Sequence, residues 1–481
     1  MESIPDAQLR FASPPRRMHD LSWRLLGCDP AYAAWLLGSQ LWLGLLWFFY
    51  QGFGITRGLI LCCFLAGLLV LRFVPPPRST PRPAGATGLP QNLRALLIIV
   101  IVIDLGMLAV SSTRSVETGK IPMDEGQTSW RAARLLWHGE DPYGTGALVD
   151  LNAYRSRARL RTASGFRPGR VPGSEATALA RYNETLDSGI RSELIPRQQD
   201  AAAQRESRLY GYKYGPLILL ATAAIAPFKI AGGVLILNGL ICFALFAVMW
   251  AVLKRMSSPQ IALAGVAMLA LLLDRHITRD YIDRSATDVW ALLFGAAAVA
   301  ACLSRRPRTA ALAVALAVGC KTMPGLLFVP MLLRFRSIKL LFLFLGAAIA
   351  IYLPWLFWDA QGFLFNGVLW PLYMQTDSTS WQVDAPHWAA LAARAVAVTA
   401  LSLLWLRYVS GKEDRLFWTL AVSSALVLLA SGFLRNGYVP WLSLWSVAAI
   451  LEAFVLRQAL DRSEDGNATA TSQLSLPEGD K

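Results

Sequence analysis

Charge is scarce in this chain. Only 16% of its 481 residues are Asp, Glu, Lys or Arg, and 55% are hydrophobic. A soluble domain averages about 25% charged residues, so the shortage excludes an ordinary soluble enzyme. Histidine is scarcer, with four in the chain. His276 and His387 stand alone and lack metal-ligand spacing. Of the six cysteines, all but Cys28 lie in apolar stretches (Cys62, Cys63, Cys242, Cys302 and Cys320). None has metal-ligand spacing, the adjacent Cys62-Cys63 pair does not suit a structural disulfide, and the set reads as small apolar fillers. No metal and no cofactor are expected. No apolar stretch follows Met1, so no cleavable leader is expected and the N-terminus should stay attached. A single basic patch is also missing. The net charge is +14, but the Lys and Arg residues are spread over loops between apolar runs. That pattern fits positive-inside bias and anionic headgroups, and argues against nucleic acid as a partner.

What the chain has is apolar runs, near 31–50, 55–74, 95–112, 215–228, 233–253, 260–273, 289–303, 309–320, 324–333, 339–357, 387–406, 416–434 and 441–456. Crossing about 30 Å of hydrocarbon takes about 20 helical residues. Several runs are shorter and must be tilted, broken or re-entrant. The fold class expected is an all-α polytopic membrane protein with about 11–13 transmembrane helices. The 17 Trp and 13 Tyr suit interfacial anchoring.

Four regions follow. Residues 1–94 hold a cytoplasmic N-terminus, a leading helical hairpin and a Pro/Arg linker from Pro75 to Arg94. Residues 95–335 form a transmembrane module with a long extracytoplasmic loop at 113–214 carrying amphipathic helices. Residues 336–457 hold C-terminal helices with an outer loop at 356–386, and 458–481 is a polar tail expected to be disordered and cytoplasmic. Basic clusters at Arg72–Arg94, Lys254-Arg255, Arg305–Arg308, Arg334–Lys339, Arg407–Arg415 and Arg457–Arg462 mark the inner side. That assignment leaves two apolar runs, 215–228 and 233–253, where one crossing is allowed; either the first dips in and returns or one loop breaks the charge rule.

The polar residues then converge on the outer face. Asp124-Glu125 opens the long loop, followed by an amphipathic stretch near 127–138 and the turn Asp141-Pro142-Tyr143-Gly144. Lys213 and Tyr214 precede the next apolar run. Arg275, Arg279, Arg284 and Asp288 come from a second loop. Lys321 stands in the turn Gly319–Pro324, Trp370 and Tyr373 in a third loop, and Arg435 in a fourth. Carboxylates at the lip of a bilayer are costly unless paired, hydrated or engaged. One acid facing several cations and aromatic rings suits glycosyl transfer from a phosphate-linked sugar. The acid deprotonates an acceptor hydroxyl, and Lys or Arg stabilises the departing phosphate. Competing structural readings stand beside each residue. The acidic pair also suits a helix cap, Lys321 a snorkelling lysine, Arg275 and Arg279 partners of Asp274 and Asp280, and Tyr143 and the tryptophans packing or anchors.

Four stretches carry a family resemblance. They are the acidic pair with Ala132-Ala133-Arg134-Leu135-Leu136 and Gly139-Glu140-Asp141-Pro142-Tyr143; Tyr212-Lys213-Tyr214-Gly215-Pro216-Leu217; Asp288; and Lys321-Thr322-Met323-Pro324-Gly325-Leu326-Leu327 with Pro330 and Arg334. In this order the chain resembles the GT-C membrane glycosyltransferases, and more narrowly glycosyltransferase family 87, the polyprenol-phosphate-mannose-dependent mannosyltransferases. The resemblance implies a GT-C-like fold and a plasma- or inner-membrane location with an extracytoplasmic active site. It also implies a polyprenyl-phosphate sugar donor, a glycan or glycolipid acceptor, and inverting transfer with one acid as base. Carried over, the base falls on Asp124, with Glu125 the competing choice. Donor phosphate binding falls to Lys321, Arg275, Arg279 and Arg284, and substrate binding to Tyr143, Lys213, Tyr214, Asp288, Trp370, Tyr373 and Arg435. The leading hairpin, the long insertion at 150–210 and the charged stretch 275–288 depart from the family pattern. A lipid-linked sugar flippase or transporter, and a polymerase or ligase of lipid-linked glycans, are the alternatives. No internal repeat of the kind common in transporters is visible.

Overall fold

The computed structural model describes residues 55–73, 124–143, 212, 214–228, 233–256, 287–364, 385–430 and 438–464, with isolated positions such as Leu43, Val266 and Gln382. The described residues are helical, without a strand. In chain order the helices are α1 (Ile55–Phe73), α2 (Asp124–Trp137), α3 (Pro216–Ile225), α4 (Gly233–Met256), α5 (Asp288–Leu303), α6 (Pro307–Cys320), α7 (Thr322–Leu326), α8 (Val329–Leu333), α9 (Ile338–Phe363), α10 (His387–Val409), α11 (Leu416–Ala430) and α12 (Val439–Glu464). Four carry stretches long and apolar enough to cross a membrane: Thr56–Phe73, Gly233–Arg255, Ile338–Ala360 and Trp388–Val409. Their outward faces expose large apolar side chains, among them Phe342, Phe357, Trp388 and Leu406. Such a continuous apolar surface is what lipid, not water, accommodates.

Proline and glycine set the boundaries. Pro216 and Pro307 stand in the first turns of α3 and α6, where a missing N–H costs no helical bond. The run 324–333 is no single span: it folds as two five-residue pieces, α7 and α8, with Pro330 near the start of the second. In α9, Pro354 removes one intrahelical donor, and Asp359 leaves the helical region altogether at φ −148°, ψ 92°. The Asp359 carboxylate then accepts the N–H of Gly362 at 3.0 Å, which restarts the last turn.

The crossing left open by the charge pattern is answered by contacts. Near the start of α4, Asn238 accepts from the Trp290 indole near the start of α5 at 2.7 Å. Near the end of α4, Arg255 reaches the Ala300 carbonyl near the end of α5 at 3.4 Å. The two helices therefore run in the same direction. α3 begins beside Cys320, at the end of the bundle where α5 starts. It finishes in a 3₁₀ turn, Ala226–Phe228, with Ile225 against Gly233 of α4. So α3 starts and ends at one end of the bundle. It lies beside α2, whose Trp137 and Arg134 donate to the carbonyls of Ala223 and Ala226 at 2.5 and 3.5 Å.

The opposite end is tied by charge. Arg72 of α1 pairs with Glu413 at 3.2 Å, and the Trp418 indole donates to the Leu68 carbonyl at 2.7 Å. Arg334 pairs with Asp414 at 2.6 Å and lies over the Tyr408 ring at 4.6 Å. The leading helix is thus part of the bundle, packed on α11 and α12. Buried Glu452 of α12 accepts the N–H groups of Phe417 and Trp418 at 3.2 and 3.0 Å, satisfying two otherwise orphaned donors in the first turn of α11. Replacing Glu452 by Ala should lower stability by about 2–4 kcal/mol. A thermal melt in lipid nanodiscs measures this, and a melting temperature equal to wild type contradicts the capping role.

Candidate functional site

Amphipathic α2 opens on the acidic pair itself. Glu125 therefore belongs to the first helical turn, and its direction is fixed by the helix. Its carboxylate is buried, at 9% exposure of the residue, and faces the N-terminus of α5. The N–H of Thr287 donates to Glu125 Oε2 at 2.6 Å and the Thr287 hydroxyl to the same oxygen at 2.9 Å. Lys321 Nζ donates to both carboxylate oxygens, at 3.2 and 3.3 Å. A helix N-terminus and an ammonium both favour negative charge. Together they hold an otherwise costly buried anion in its ionised form.

Lys321 is the centre of the arrangement. It sits in extended backbone (φ −144°, ψ 112°) between α6 and α7, and is 9% exposed. Besides Glu125 it pairs with Asp288, the first residue of α5, at 2.5 Å. Its ammonium also lies 5.0 Å from the centroid of the Tyr214 ring. Burial alone pulls the lysine's pKa down, but Asp288 and Glu125 more than offset that and hold it above its ordinary value. A folded-state pKa raised in this way gives stability that is full below the unfolded value and is lost only as pH climbs through the folded one. The ion pairs therefore persist across neutral pH.

The motif around Gly139 has a structural account. Gly139, at φ +74°, stops α2, with Glu140 N–H donating back to the Leu135 carbonyl at 2.9 Å. This is the glycine-terminated helix end that only a residue without Cβ adopts cheaply. Asp141 then accepts the N–H of Tyr143 at 2.9 Å. The turn directs Tyr143 inward to 1% exposure, where its hydroxyl donates to the Tyr214 carbonyl at 3.0 Å. The Tyr212 N–H donates to the Pro142 carbonyl at 2.8 Å, and the Gly215 N–H to that of Cys320 at 2.9 Å. Tyr143, Tyr212, Trp355 and Phe363 meet edge to face, Tyr212 meets Tyr214, and Trp355 stacks on half-exposed Trp358 at 6.1 Å. Burial pushes the Tyr143 and Tyr212 hydroxyls up, so both stay neutral. A methyl group at Gly215 would overlap the Gly319 and Cys320 carbonyls. Gly215→Ala should therefore cost about 2–3 kcal/mol and displace the Lys321 turn; an unchanged melting temperature contradicts the close approach.

Of the residues singled out from the sequence, the structure brings together Glu125, Asp288, Lys321, Tyr214 and, one layer away, Tyr143. The side chain of Asp124, and Lys213, Arg275, Arg279, Arg284, Trp370, Tyr373 and Arg435, lie outside the described residues. Thr287 was not singled out, although a threonine just before an apolar helix is an ordinary N-cap signal. Ser129, whose hydroxyl donates to the Glu125 carbonyl at 2.7 Å, had no sequence signal. No group of three or more metal-ligating side chains occurs among the described residues.

Fold and site together define a class: among the described residues, a helical protein with apolar helices long enough to span a membrane and a buried acid–lysine–acid cluster at an end of the bundle. No protein-family model, curated protein or solved structure matches the chain.

Proposed function

We propose that the chain is an integral membrane glycosyltransferase. It moves a sugar, by resemblance mannose, from a polyprenyl-phosphate donor to a glycan or glycolipid acceptor on the extracytoplasmic face of a plasma or inner membrane. The observation carrying this reading is the convergence on Glu125. Four stretches spread from residue 124 to residue 334 resemble the family, and each contributes a residue to the single buried cluster around that carboxylate or to the aromatic wall beside it. Charge supports the side. Lys254, Arg255, Arg305, Arg306, Arg308, Arg334 and Arg407 all gather at the end of the bundle away from Glu125, and basic ends stay cytoplasmic.

In this reading Glu125 takes the proton of the acceptor hydroxyl as its oxygen bonds to the anomeric carbon. The bond from that carbon to the phosphate oxygen breaks, and the polyprenyl phosphate leaves with the electron pair. Configuration inverts. Lys321, already engaged by two carboxylates, serves the base and fixes its position. The departing phosphate falls to the arginines at 275–284. Half-exposed Trp358, stacked on Trp355, offers an apolar face for a sugar ring or prenyl chain, with buried Tyr143 and Trp355 supporting it from behind. Asp124 is the rival base.

Donor class is the test. With a radiolabelled polyprenyl-phosphate mannose in proteoliposomes, unlabelled polyprenyl-phosphate sugar should compete for product formation, and a polyprenyl-diphosphate oligosaccharide should not. Efficient use of the diphosphate donor instead would make the protein a glycan ligase or polymerase and overturn the assignment.

A further inference from the structure

The surroundings of Glu125 contain an apparent contradiction. Two donors from Thr287, a helix N-terminus and an ammonium all stabilise the carboxylate, and each weakens it as a proton acceptor. A base held only by such groups is ionised but feeble. Asp288 acts in the opposite sense. Its carboxylate sits closer to Lys321 (2.5 Å) than Glu125 does (3.2 Å), and it places a second negative charge on the same ammonium. We propose that Asp288 is a positioning residue that draws Lys321 away from Glu125 and so sets how readily Glu125 accepts a proton.

Each described element packed against the pair bears on this. From the α5 side come Thr287 and Asp288, and from the α6–α7 turn Lys321, with Cys320 behind it. From the extended segment come Tyr212, which feels the charge of Glu125, and Tyr214, whose ring underlies the ammonium. Tyr438, just ahead of α12, acts electrostatically on Lys321. Burial keeps the hydroxyl of Tyr212 neutral. Asp288 is the like charge in direct contact with the shared ammonium, so its removal has a definite sign. Lys321 turns wholly to Glu125, the charged carboxylate is favoured further, and protonation requires a lower pH.

As a tuner of catalysis Asp288 depends on the proposed transfer reaction, but the coupling itself can be read without turnover. A hydrophobic carbodiimide reacts only with protonated carboxyls. Labelling of Glu125 in the full chain in lipid nanodiscs, followed by mass spectrometry across a pH series, gives a midpoint. Asp288→Asn, nearly isosteric, should lower that midpoint by roughly two pH units, as expected for two like charges sharing one ammonium at 3.2 and 2.5 Å at an effective dielectric of about 20. Asp288→Glu, which keeps the charge, should leave it nearly in place. Lys321→Gln should raise it. The acidic limb of the transfer rate against pH should move with the midpoint, whereas a merely structural role would depress the rate at every pH.

A folded Asp288→Asn protein with an unmoved or raised midpoint overturns the proposal. If that variant does not fold, an unmoved midpoint in Lys321→Gln overturns it equally. Shifted midpoints with an active Glu125→Gln variant would remove Glu125 as the base and leave the coupling standing. An inactive Glu125→Gln variant with unmoved midpoints would do the reverse.

Discussion

Replacing Glu125 by Gln should abolish transfer while leaving the protein folded. The amide keeps the shape of the side chain and still accepts from Thr287, so binding of donor and acceptor should change little. What it loses is the capacity to take a proton. Positioned general bases contribute about 10²–10⁴ in rate, which corresponds to about 3–5 kcal/mol of barrier. The loss should therefore appear in kcat with KM nearly unchanged, the pattern of an interaction used only in the transition state. Asp124→Asn is the companion measurement. If it is inactive and Glu125→Gln is active, the base moves by one residue; if both transfer at the wild-type rate, acid–base chemistry at this pair is excluded.

The second large effect belongs to Lys321. In Lys321→Met two carboxylates, Glu125 and Asp288, lose the ammonium that joins them at 3.2 and 2.5 Å. Breaking a buried ion pair by removing one partner costs about 3–5 kcal/mol, a large share of a total stability of about 5–15 kcal/mol. The melting temperature in nanodiscs should fall sharply and activity should vanish. Adding Glu125→Gln and Asp288→Asn to Lys321→Met should restore much of the stability, because the uncompensated charges are then gone, but none of the activity. A Lys321→Met protein that melts like wild type would mean that the lysine does not neutralise this cluster.

Sequence patterning reached some parts of this architecture and stopped at others for physical reasons. The amphipathic stretch near 127–138 folds as α2, Gly139 ends it, and Asp141-Pro142 makes the turn, because caps and turn residues act over a few positions. Lys321 stands at a turn, as the Gly and Pro around it indicate. The path of 215–228 was not legible. An apolar run reports length and composition, and whether both its ends lie at one level depends on contacts with Trp137, Cys320 and Gly233. The ten-residue run 324–333 shows the same limit from the other direction, since Pro330 and Gly325 break it into pieces too short to span. The pattern leaves Asp124 and Glu125 level, since neighbours on a helix point about 100° apart; the position of α5 shows that Glu125 faces Thr287 and Lys321, while the side chain of Asp124 lies outside the described residues. The partners of Glu125 lie 162 and 196 positions away in the chain, a separation over which no local propensity acts.

The same geometry explains why so few charges suffice. Acid, lysine and acid are delivered by the ends of three elements, α2, the α6–α7 turn and α5, and each end is fixed by a different local device. For α2 the device is the early helical turn. For the Lys321 turn it is the close approach of Gly215. For α5 it is capping by Glu125 itself. The carboxylate that would perform the chemistry also holds the helix that carries Asp288.

The most direct test follows the label from polyprenyl-phosphate mannose in proteoliposomes of known orientation supplied with a panel of glycolipid acceptors. The account predicts that label becomes covalently attached to an acceptor at the face carrying Glu125, and that attachment disappears in Glu125→Gln. Label that crosses the bilayer still on its original lipid, with no acceptor modified by the wild-type protein, would contradict it and describe a transporter.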